Sequence, residues 1–356
     1  MKNLYDSFLY NQDLQIAIKD TLGISELSGK SMLITGASGL IGSYIVDMLC
    51  FWNSLQKCDT YKINIYACSR RLENLTRRFA GCREQKFLHF CEMDVSKDVY
   101  FEYPVDFIIH AASNAYPAAF NDDPVGTILA NVVGTYKLLL CAHEKNVQKV
   151  LLISSGEIYG EGVENMVAFT ENYSGYVDPI NPRSCYPSSK RTAETLCVAF
   201  QKQFGVQTVV ARPCHIYGPN TTLVDNRATV QFFNKALENE DIVMKSTGKQ
   251  LRSYCYIADC ASALLSILIN GISGQAYNIA NPTSRLTIAE FADVIAKLSG
   301  VSVLYNGLDT LLQGEKSPIS KAVLSSEKLE ALGWRGRFGP YSGINHTLSI
   351  LQFLRK

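Results

Sequence analysis

Short apolar runs alternate with segments of helical periodicity through the first two thirds of the chain. Six runs have the length of strands and lie at 32–34, 63–68, 87–95, 105–110, 150–154 and 208–212. Mainly apolar runs of this length are typical of parallel strands that are buried on both faces. Because helical segments separate them, the pattern predicts an α/β fold with a doubly wound parallel sheet. Ligands of such sheets bind at the carboxyl ends of the strands.

A glycine-rich turn follows the first predicted strand. Gly36, Gly39 and Gly42 stand between that strand and an apolar-periodic segment at 44–49, in the order that a dinucleotide fingerprint requires. Gly36 would allow the tight turn, Gly39 a close approach of the pyrophosphate, and Gly42 close packing of the helix on the strand. The spacing G-x-x-G-x-x-G differs from the usual G-x-G-x-x-G, and a turn without a ligand is the alternative. The predicted cofactor residues of this turn are Gly36, Ser38, Gly39, Leu40, Ile41 and Gly42.

The ends of the next strands supply further candidates for cofactor binding. Ser69 and Arg70 follow the second run, where an NAD-binding unit usually has an Asp or Glu that holds the ribose hydroxyls. Both side chains would suit the 2′-phosphate of NADP, whereas Arg70 could equally stack on the adenine or lie in solvent. Asp94 and Val95 end the third run, beside the expected adenine position. Small residues after the fourth run would let a cofactor lie against the backbone, and these are Ala111, Ala112 and Ser113.

Shorter alternating elements follow residue 211. The expected elements are helices at 230–238, 261–269 and 288–298, a strand and turn at 276–282, and a final helix near 325–332. We therefore predict a dinucleotide-binding Rossmann domain over 31–211 and a smaller C-terminal α/β substrate domain over 212–356, with some exchange of strands between them. Residues 1–30 are predicted to be an N-terminal extension of one or two short helices that covers a sheet edge or a dimer surface.

Composition narrows the class of protein. The 34 basic and 33 acidic residues give a net charge of +1, so no basic field is available for nucleic acid. Eleven cysteines, an odd number without C-x-x-C pairs, indicate reduced thiols and argue against a metal site such as zinc. The first residues lack the apolar core of a signal peptide, and no apolar run reaches membrane-spanning length. We therefore expect a cytoplasmic protein without a nucleic-acid or membrane partner.

Four separated motifs resemble those of one family. They are T-G-A-S-G-L-I-G at 35–42, H-A-A-S at 110–113, Y-P-S-S-K at 186–190 and R-P-C-H-I-Y-G-P at 212–219. Over nearly the whole chain after residue 30, their order and spacing are similar to those of the extended short-chain dehydrogenase/reductases that act on nucleotide sugars. The resemblance implies a Rossmann fold, bound NAD and a nucleotide-diphosphate sugar as substrate. It also implies a homodimer formed by the helices around 125–143 and 188–204.

Within this family the chain looks most like the UDP-glucuronate decarboxylase group. The similar segments are S-S-G-E-I-Y-G at 154–160, N-P-R-S-C-Y at 181–186, D-N-R at 225–227 and G-K-Q-L-R at 248–252. Two features depart from the pattern. His215 stands where the family usually has an Asn near the diphosphate, and the acidic residue after the second strand is missing. These departures leave the nucleotide and the sugar open.

The resemblance implies a catalytic set of Ser155, Glu157, Tyr186 and Lys190. Tyr186 and Lys190 are spaced i, i+4 on a predicted helix, so they share a face. A free tyrosine titrates at about pH 10, and the Lys190 ammonium together with the cationic nicotinamide would lower that pKa. Tyr186 could then take a proton from a sugar hydroxyl that Ser155 also contacts. Besides Tyr186 and Lys190, the residues expected at the cofactor are Asn131, Pro213 and His215. Those expected at the substrate are Asn114, Ser155, Glu157, His215, Arg227 and Arg252.

Glu157 separates the reactions that share a transient oxidation at C4 of the sugar. A 4,6-dehydratase would need an Asp–Glu pair, and Gly156 occupies the Asp position here. A decarboxylase needs no such acid, because oxidation at C4 turns the C6 carboxylate into a β-keto acid. Glu157 could then assist reprotonation, position the sugar or be only a structural carboxylate, while Arg252 would bind the carboxylate or the diphosphate. A 4-epimerase is the second interpretation, and the intact Tyr, Lys and Ser set argues against a non-catalytic nucleotide-binding module.

Overall fold

The computed structural model describes residues 2–82, 86–115, 117–222, 225–305 and 321–356. Within these ranges the strands are β1 (Ser31–Thr35), β2 (Asn64–Ser69), β3 (Leu88–Glu92), β4 (Phe107–His110), β5 (Lys149–Ile153), β6 (Thr208–Pro213), β7 (His215–Tyr217), β8 (Ile242–Met244), β9 (Leu251–Tyr256), β10 (Ala276–Ile279), β11 (Arg285–Thr287), β12 (Val303–Tyr305) and β13 (Lys321–Ala322). The α-helices are α1 (Phe8–Asp20), α2 (Leu40–Leu55), α3 (Leu72–Arg78), α4 (Pro117–Asp122), α5 (Pro124–Glu144), α6 (Cys185–Phe204), α7 (Ala228–Leu237), α8 (Ile257–Asn270), α9 (Ile288–Ser299), α10 (Glu327–Glu330) and α11 (Pro340–Arg355).

Parallel strands form the central sheet, which has seven strands in the order β3-β2-β1-β4-β5-β6-β10. Each of the six predicted runs contributes a strand, so the predicted doubly wound parallel Rossmann sheet is confirmed. The strand order reverses between β1 and β4. In open α/β sheets this reversal opens a crevice at the carboxyl ends of the strands, which is where a ligand site is expected.

Local sequence accounts for the elements that flank the crevice. All five residues of β1 are buried, as suits a strand covered by helices on both faces. The Asp123 side chain accepts a hydrogen bond from the backbone N–H of Gly126 (2.9 Å), and Pro124 occupies the first turn, so α5 begins on two helix-start signals. The helix α6 ends at Gly205, whose φ of 74° is left-handed. The two helices pack along each other on one face of the sheet.

The residues after β6 build two small sheets and the helices around them. The strand β9 pairs with β7, β11 and β13, and β8 pairs with β12. In contrast, β10 lies beside β6 at the edge of the central sheet, and α8 packs against β5, β6 and β10. One strand from the range predicted as the substrate domain therefore belongs to the central sheet.

The last helix is α11, so the helix predicted near 325–332 is present but is not the final one. That segment holds only the short α10, which ends before Gly333, a residue with φ of 104°. The helix α11 begins with Pro340 in its first turn and buries Ile344, Leu348 and Ile350 against the core. The missed signal was a proline start followed by apolar positions at helical spacing.

The N-terminal extension packs into the core and does not merely cover a sheet edge. The helix α1 lies against α2, α8 and α11, and its Tyr10 and Leu14 are buried. Its Asp13 is also buried and accepts a hydrogen bond from the hydroxyl of Tyr256 (2.6 Å). A second hydrogen bond of 2.8 Å joins Asp13 to Nδ1 of His346. The extension therefore ties β9 and α11 to the helices that cover the central sheet.

One described helix, α5, is long and apolar enough to cross a membrane by length and composition alone, although the sequence pattern had indicated no such run. A core helix passes the same test, and α5 packs along α6. The signal is therefore weak. All eleven cysteines lie in the described ranges, and none of them forms a disulfide.

Candidate active site

A cavity of about 1130 Å³ lies at the carboxyl ends of the parallel strands. Of the predicted site residues, Asn131 alone does not line it. The walls include the predicted cofactor residues Gly36, Ser38, Gly39, Leu40, Ile41, Gly42, Ser69, Arg70, Asp94, Val95, Ala111, Ala112, Ser113 and Pro213. They also include the predicted catalytic and substrate residues Asn114, Ser155, Glu157, Tyr186, Lys190, His215, Arg227 and Arg252.

The glycine turn excludes side chains from the wall beside the N-terminus of α2. Gly36 has a φ of +66°, and a Cβ on it would lie 2.7 Å from the backbone of Ala111. A Cβ on Gly42 would lie 2.4 Å from the carbonyl oxygen of Gly36. The helix that follows offers free N–H groups and a positive dipole end to an anion. The residues present therefore fit the pyrophosphate of a dinucleotide.

Asn220 is a cavity residue that the sequence reasoning missed. It is buried, and its Nδ2 donates hydrogen bonds to the carbonyl of Leu40 (2.7 Å) and to the hydroxyl of Ser43 (2.9 Å). It therefore fixes the first turn of α2 from the other side of the cavity. No spacing rule predicts this contact, because Asn220 and Leu40 are 180 residues apart in the chain.

The expected adenosine end of the cavity lies at the ends of β2 and β3. The hydroxyl of Ser69 is 3.2 Å from that of Ser38 in the glycine turn. Asp94 accepts hydrogen bonds from the backbone N–H (3.1 Å) and hydroxyl (2.6 Å) of Ser96. These bonds lower the pKa of Asp94 below its ordinary value, and the positive charge of Arg70 adds to the effect. Arg70 therefore lies within electrostatic reach of a carboxylate.

Tyr186 and Lys190 lie one turn apart on α6, with Nζ of Lys190 5.9 Å from the centre of the Tyr186 ring. Lys190 donates to the carbonyl of Ile153 at the end of β5 (2.8 Å), and burial lowers its pKa to about 8. Burial and the Glu157 carboxylate raise the pKa of Tyr186 above its ordinary value, whereas a hydrogen bond with Ser155 lowers it. The protein alone therefore holds Tyr186 as a phenol, and a bound positive charge would favour loss of its proton.

Arg183 is the ion-pair partner of Glu157, and the sequence reasoning did not assign it to the site. Its Nη2 lies 3.2 Å from Oε2 of Glu157. The same guanidinium lies over the ring of Phe120, 4.4 Å from its centre, and Phe120 stacks on Tyr186 with 4.6 Å between ring centres. This stack connects the Glu157 carboxylate to the candidate catalytic tyrosine.

Two arginines lie near His215 in the cavity. Burial, followed by the charges of Arg252 and Arg227, lowers the pKa of His215 to about 3, so its imidazole is neutral. Arg227 donates to the carboxylate of Asp225 from Nε (2.9 Å) and Nη2 (2.6 Å). Arg252 is buried. Guanidinium groups beside a neutral imidazole suit an anion such as a diphosphate or a carboxylate.

Asn131 lies behind the catalytic helix and not at the cavity, where it was expected to bind cofactor. It is fully buried in α5, and its Nδ2 donates to the hydroxyl of Ser189 (2.9 Å). That hydroxyl donates to the carbonyl of Tyr186 (3.1 Å). Asn131 therefore positions the first turn of α6, one layer away from the reacting groups.

His110 at the end of β4 gives a prediction for acid stability. Burial lowers its pKa from 6.5 to about 3, and its Nδ1 is 2.8 Å from the hydroxyl of Thr35. The unfolded chain therefore binds the proton first, and the free energy of unfolding falls as the pH drops from 6.5 towards 3. We expect His110→Asn to reduce this dependence by up to about 1.4 kcal/mol per pH unit. Urea unfolding at several pH values measures it, and a slope equal to that of the parent protein would contradict the account.

The glycine turn, the strand ends and the buried Tyr–Lys pair together define a dinucleotide-dependent enzyme on a Rossmann sheet. The sequence model of the NAD dependent epimerase/dehydratase family matches residues 32–280. The chain therefore belongs to the NAD-dependent epimerase/dehydratase family. That the family is NAD dependent agrees with the cofactor that the resemblance implied, whereas Ser69 and Arg70 by themselves favoured NADP.

Relatives with similar sequences are decarboxylases of a nucleotide sugar. The chain is 31% identical over 331 residues to UDP-glucuronic acid decarboxylase 1 of Xenopus tropicalis, covering 91% of this chain and 73% of that protein. It is 33% identical over 311 residues to UDP-glucuronic acid decarboxylase 6 of Arabidopsis thaliana, covering 86% of this chain and 84% of that protein. The predicted resemblance is confirmed.

Solved structures share the fold at lower sequence identity. UDP-glucose 4-epimerase of Thermotoga maritima superimposes with a TM-score of 0.77 at 22% identity, over 92% of this chain and 100% of that one. A UDP-glucuronic acid 4-epimerase variant of Bacillus cereus, in complex with NAD and UDP-4-deoxy-4-fluoro-glucuronic acid, gives a TM-score of 0.77 at 20% identity, over 91% and 99% of the two chains. At these identities the likeness shows the fold alone.

Proposed function

We propose that the protein is a nucleotide-sugar decarboxylase that acts on UDP-glucuronate through a transient oxidation at C4. The observation that carries the proposal is the group formed by Ser155, Glu157, Tyr186 and Lys190 in one cavity with a buried guanidinium, that of Arg252. Gly156 stands where a 4,6-dehydratase would carry its acid. The identity of 31–33% to UDP-glucuronic acid decarboxylases supports the same reaction.

The residues of the chain supply proton transfer and orientation. NAD, when bound along the glycine turn, supplies the acceptor for the hydride from C4 of the sugar. Tyr186 takes the proton of the C4 hydroxyl, Lys190 stabilises the resulting phenolate, and Ser155 contacts the same oxygen. The guanidinium groups of Arg227 and Arg252, which lie near His215, hold the diphosphate or the C6 carboxylate.

The reaction balances with one proton from solvent and needs no other reactant. Once C4 is a ketone, the C5–C6 bond breaks and carbon dioxide leaves. The electron pair of that bond stays on the sugar as the enolate of C4 and C5. A proton then adds to C5, a step that Glu157 is placed to assist. The hydride returns to C4 and Tyr186 gives back its proton, so that the cofactor ends the cycle as it began.

A substrate panel tests the proposal. UDP-glucuronate, UDP-glucose and other nucleotide-diphosphate sugars are incubated with the holoenzyme, and released carbon dioxide and product identity are measured. The proposal predicts carbon dioxide and a UDP-pentose from UDP-glucuronate, with no net reduction of NAD. Absence of carbon dioxide from every uronate tested would remove the decarboxylase assignment. The Tyr186→Phe holoenzyme serves as the blank.

A 4-epimerase is the second candidate function. It uses the same oxidation but returns the hydride to the opposite face of the sugar. The structures with similar folds include two UDP-sugar 4-epimerases. In the same panel this function gives a C4 epimer of the substrate and no carbon dioxide.

We further propose a homodimer formed through α5 and α6. Apolar side chains that project into solvent from these helices support it, namely Val125, Ile128, Leu129, Tyr136, Val198 and Phe204. The double substitution Leu129→Glu and Val198→Glu is expected to give a monomer by light scattering at micromolar concentration, because it places charges in the apolar contact. Val163→Glu, at an exposed apolar loop position, is the matched control. A parent protein that is already monomeric would contradict the proposal.

We also propose that the protein is located in the cytoplasm. The eleven cysteines, none of which forms a disulfide, support a reducing environment such as the cytoplasm, since exposed and half-buried thiols such as those of Cys58 and Cys91 persist there.

A further inference from the structure

The cavity continues beyond the end of β2 to the first residues of the chain. Asn3, Leu4 and Tyr5 line it together with Arg77 and Gly81, which lie in and just after α3. We call residues 2–6 the N-terminal strap. The strap lies outside the range 32–280 that matches the family model.

Tyr5 fastens the strap to the helix that carries the glycine turn. Its hydroxyl donates a hydrogen bond to Oδ1 of Asp47 (2.6 Å), a fully buried carboxylate on α2. Nη1 of Arg78, at the end of α3, donates to the same hydroxyl (3.2 Å). Tyr5 is itself buried. One side chain therefore joins the strap to both helices that flank the end of β2.

Asn3 gives the strap a fixed shape and a second contact. Its Oδ1 accepts hydrogen bonds from the backbone N–H groups of Tyr5 (2.9 Å) and Asp6 (3.2 Å), and the Asp6 carboxylate accepts one from the Asn3 backbone (3.0 Å). The Asn3 side chain also packs on Gly81, where an added Cβ would lie 2.7 Å from Nδ2 of Asn3. At the other end, Nζ of Lys2 lies 4.5 Å above the ring of Phe353. The strap is thus held by contacts with Gly81 and with Phe353 of α11.

We propose that the N-terminal strap forms the outer wall of the adenosine subsite and slows the dissociation of NAD. In a Rossmann unit the adenosine ribose lies at the end of β2, and here that end is Ser69, which shares the cavity with Asn3 and Tyr5. Through Tyr5 the strap is hydrogen-bonded to both α2 and α3. A dinucleotide that leaves at its adenosine end therefore has to displace the strap. A cofactor that is regenerated in every cycle need not leave, so slow dissociation costs the enzyme no turnover.

Exchange of the bound cofactor tests the proposal without any sugar substrate. Holoenzyme loaded with NAD is mixed with an excess of fluorescent 1,N6-etheno-NAD, and the exchange rate is measured. Tyr5→Phe removes the hydrogen bond to Asp47, and Gly81→Ala pushes the Asn3 side chain away while leaving the strap sequence intact. Both variants are expected to exchange about tenfold faster than the parent, the effect of losing one hydrogen bond of ordinary strength. Phe8→Ala, at a nearby side chain that is 83% exposed, is the matched control and should exchange at the parent rate.

The value of kcat at saturating NAD distinguishes a wall of the cofactor site from a general support of the fold. The proposal predicts faster exchange of NAD with kcat at saturating NAD unchanged. Exchange at the parent rate in both Tyr5→Phe and Gly81→Ala would overturn it, as would equal acceleration in Phe8→Ala. The exchange rate is measured without sugar, so it is independent of whether the protein proves to be a decarboxylase or an epimerase.

Discussion

Replacement of Tyr186 by phenylalanine is expected to lower kcat by a factor of about 10²–10⁴, the usual contribution of a positioned acid or base. The ring remains stacked on Phe120, so the shape of the cavity is kept and only the hydroxyl is lost. NAD should stay bound, because the glycine turn and the ends of β2 and β3 are untouched. Steady-state rates with UDP-glucuronate, together with the NAD content of the purified variant, measure both parts of the expectation.

Tyr61→Phe is the matched control, since Tyr61 is 58% exposed and lies away from the cavity. It should have the parent activity. If Tyr186→Phe retained a kcat within a few-fold of the parent while carrying its full NAD content, Tyr186 would not be the base, and the assignment of the whole catalytic set would fail.

Lys190→Met is expected to produce the second large loss, with a change in pH dependence as its signature. In the parent protein the pKa of Lys190 is lowered to about 8 by burial. Below that pH the ammonium stabilises the Tyr186 phenolate, and above it the stabilisation disappears, so kcat should fall on the alkaline side of about pH 8. The methionine variant should have a kcat lower by a factor of about 10² or more and should lack this alkaline limb.

Lys202→Met, at an exposed position of the same helix, controls for loss of a positive charge on α6. It should keep both the rate and the alkaline limb. An alkaline limb that survives unchanged in Lys190→Met would show that another group titrates, and the role given to Lys190 would then be wrong.

The parts of the site that could be predicted from the sequence are those that depend on the spacing of residues close together in the chain. Gly36 and Gly42 mark a turn because only glycine fits where the backbone of Ala111 and the carbonyl of Gly36 approach. Tyr186 and Lys190 share a helix face because they are four residues apart. Neither inference needs knowledge of the tertiary structure, and both side chains of the pair line the cavity as expected.

The parts that sequence could not predict are contacts between residues far apart in the chain. The partner of Glu157 is Arg183, and the ring beneath that guanidinium is Phe120, 63 residues earlier. The hydroxyl of Tyr5 reaches Asp47 across 42 residues. No periodicity records such pairs, because they depend on how the elements pack. Asn131 is a residue for which the prediction from sequence differed from the structure. A contact with the cofactor was expected, whereas its side chain is hydrogen-bonded to Ser189.

The measurement that tests the central claim most directly follows two labels through one reaction. UDP-glucuronate with ¹³C at C6 and deuterium at C4 is converted by the holoenzyme, and the products are analysed by NMR and mass spectrometry. Transient oxidation at C4 with decarboxylation predicts ¹³C in the released carbon dioxide and deuterium retained at C4 of the UDP-pentose, because the same hydride is taken and returned. Failure to release ¹³C-labelled carbon dioxide, or a pentose that has lost the deuterium, would contradict the account.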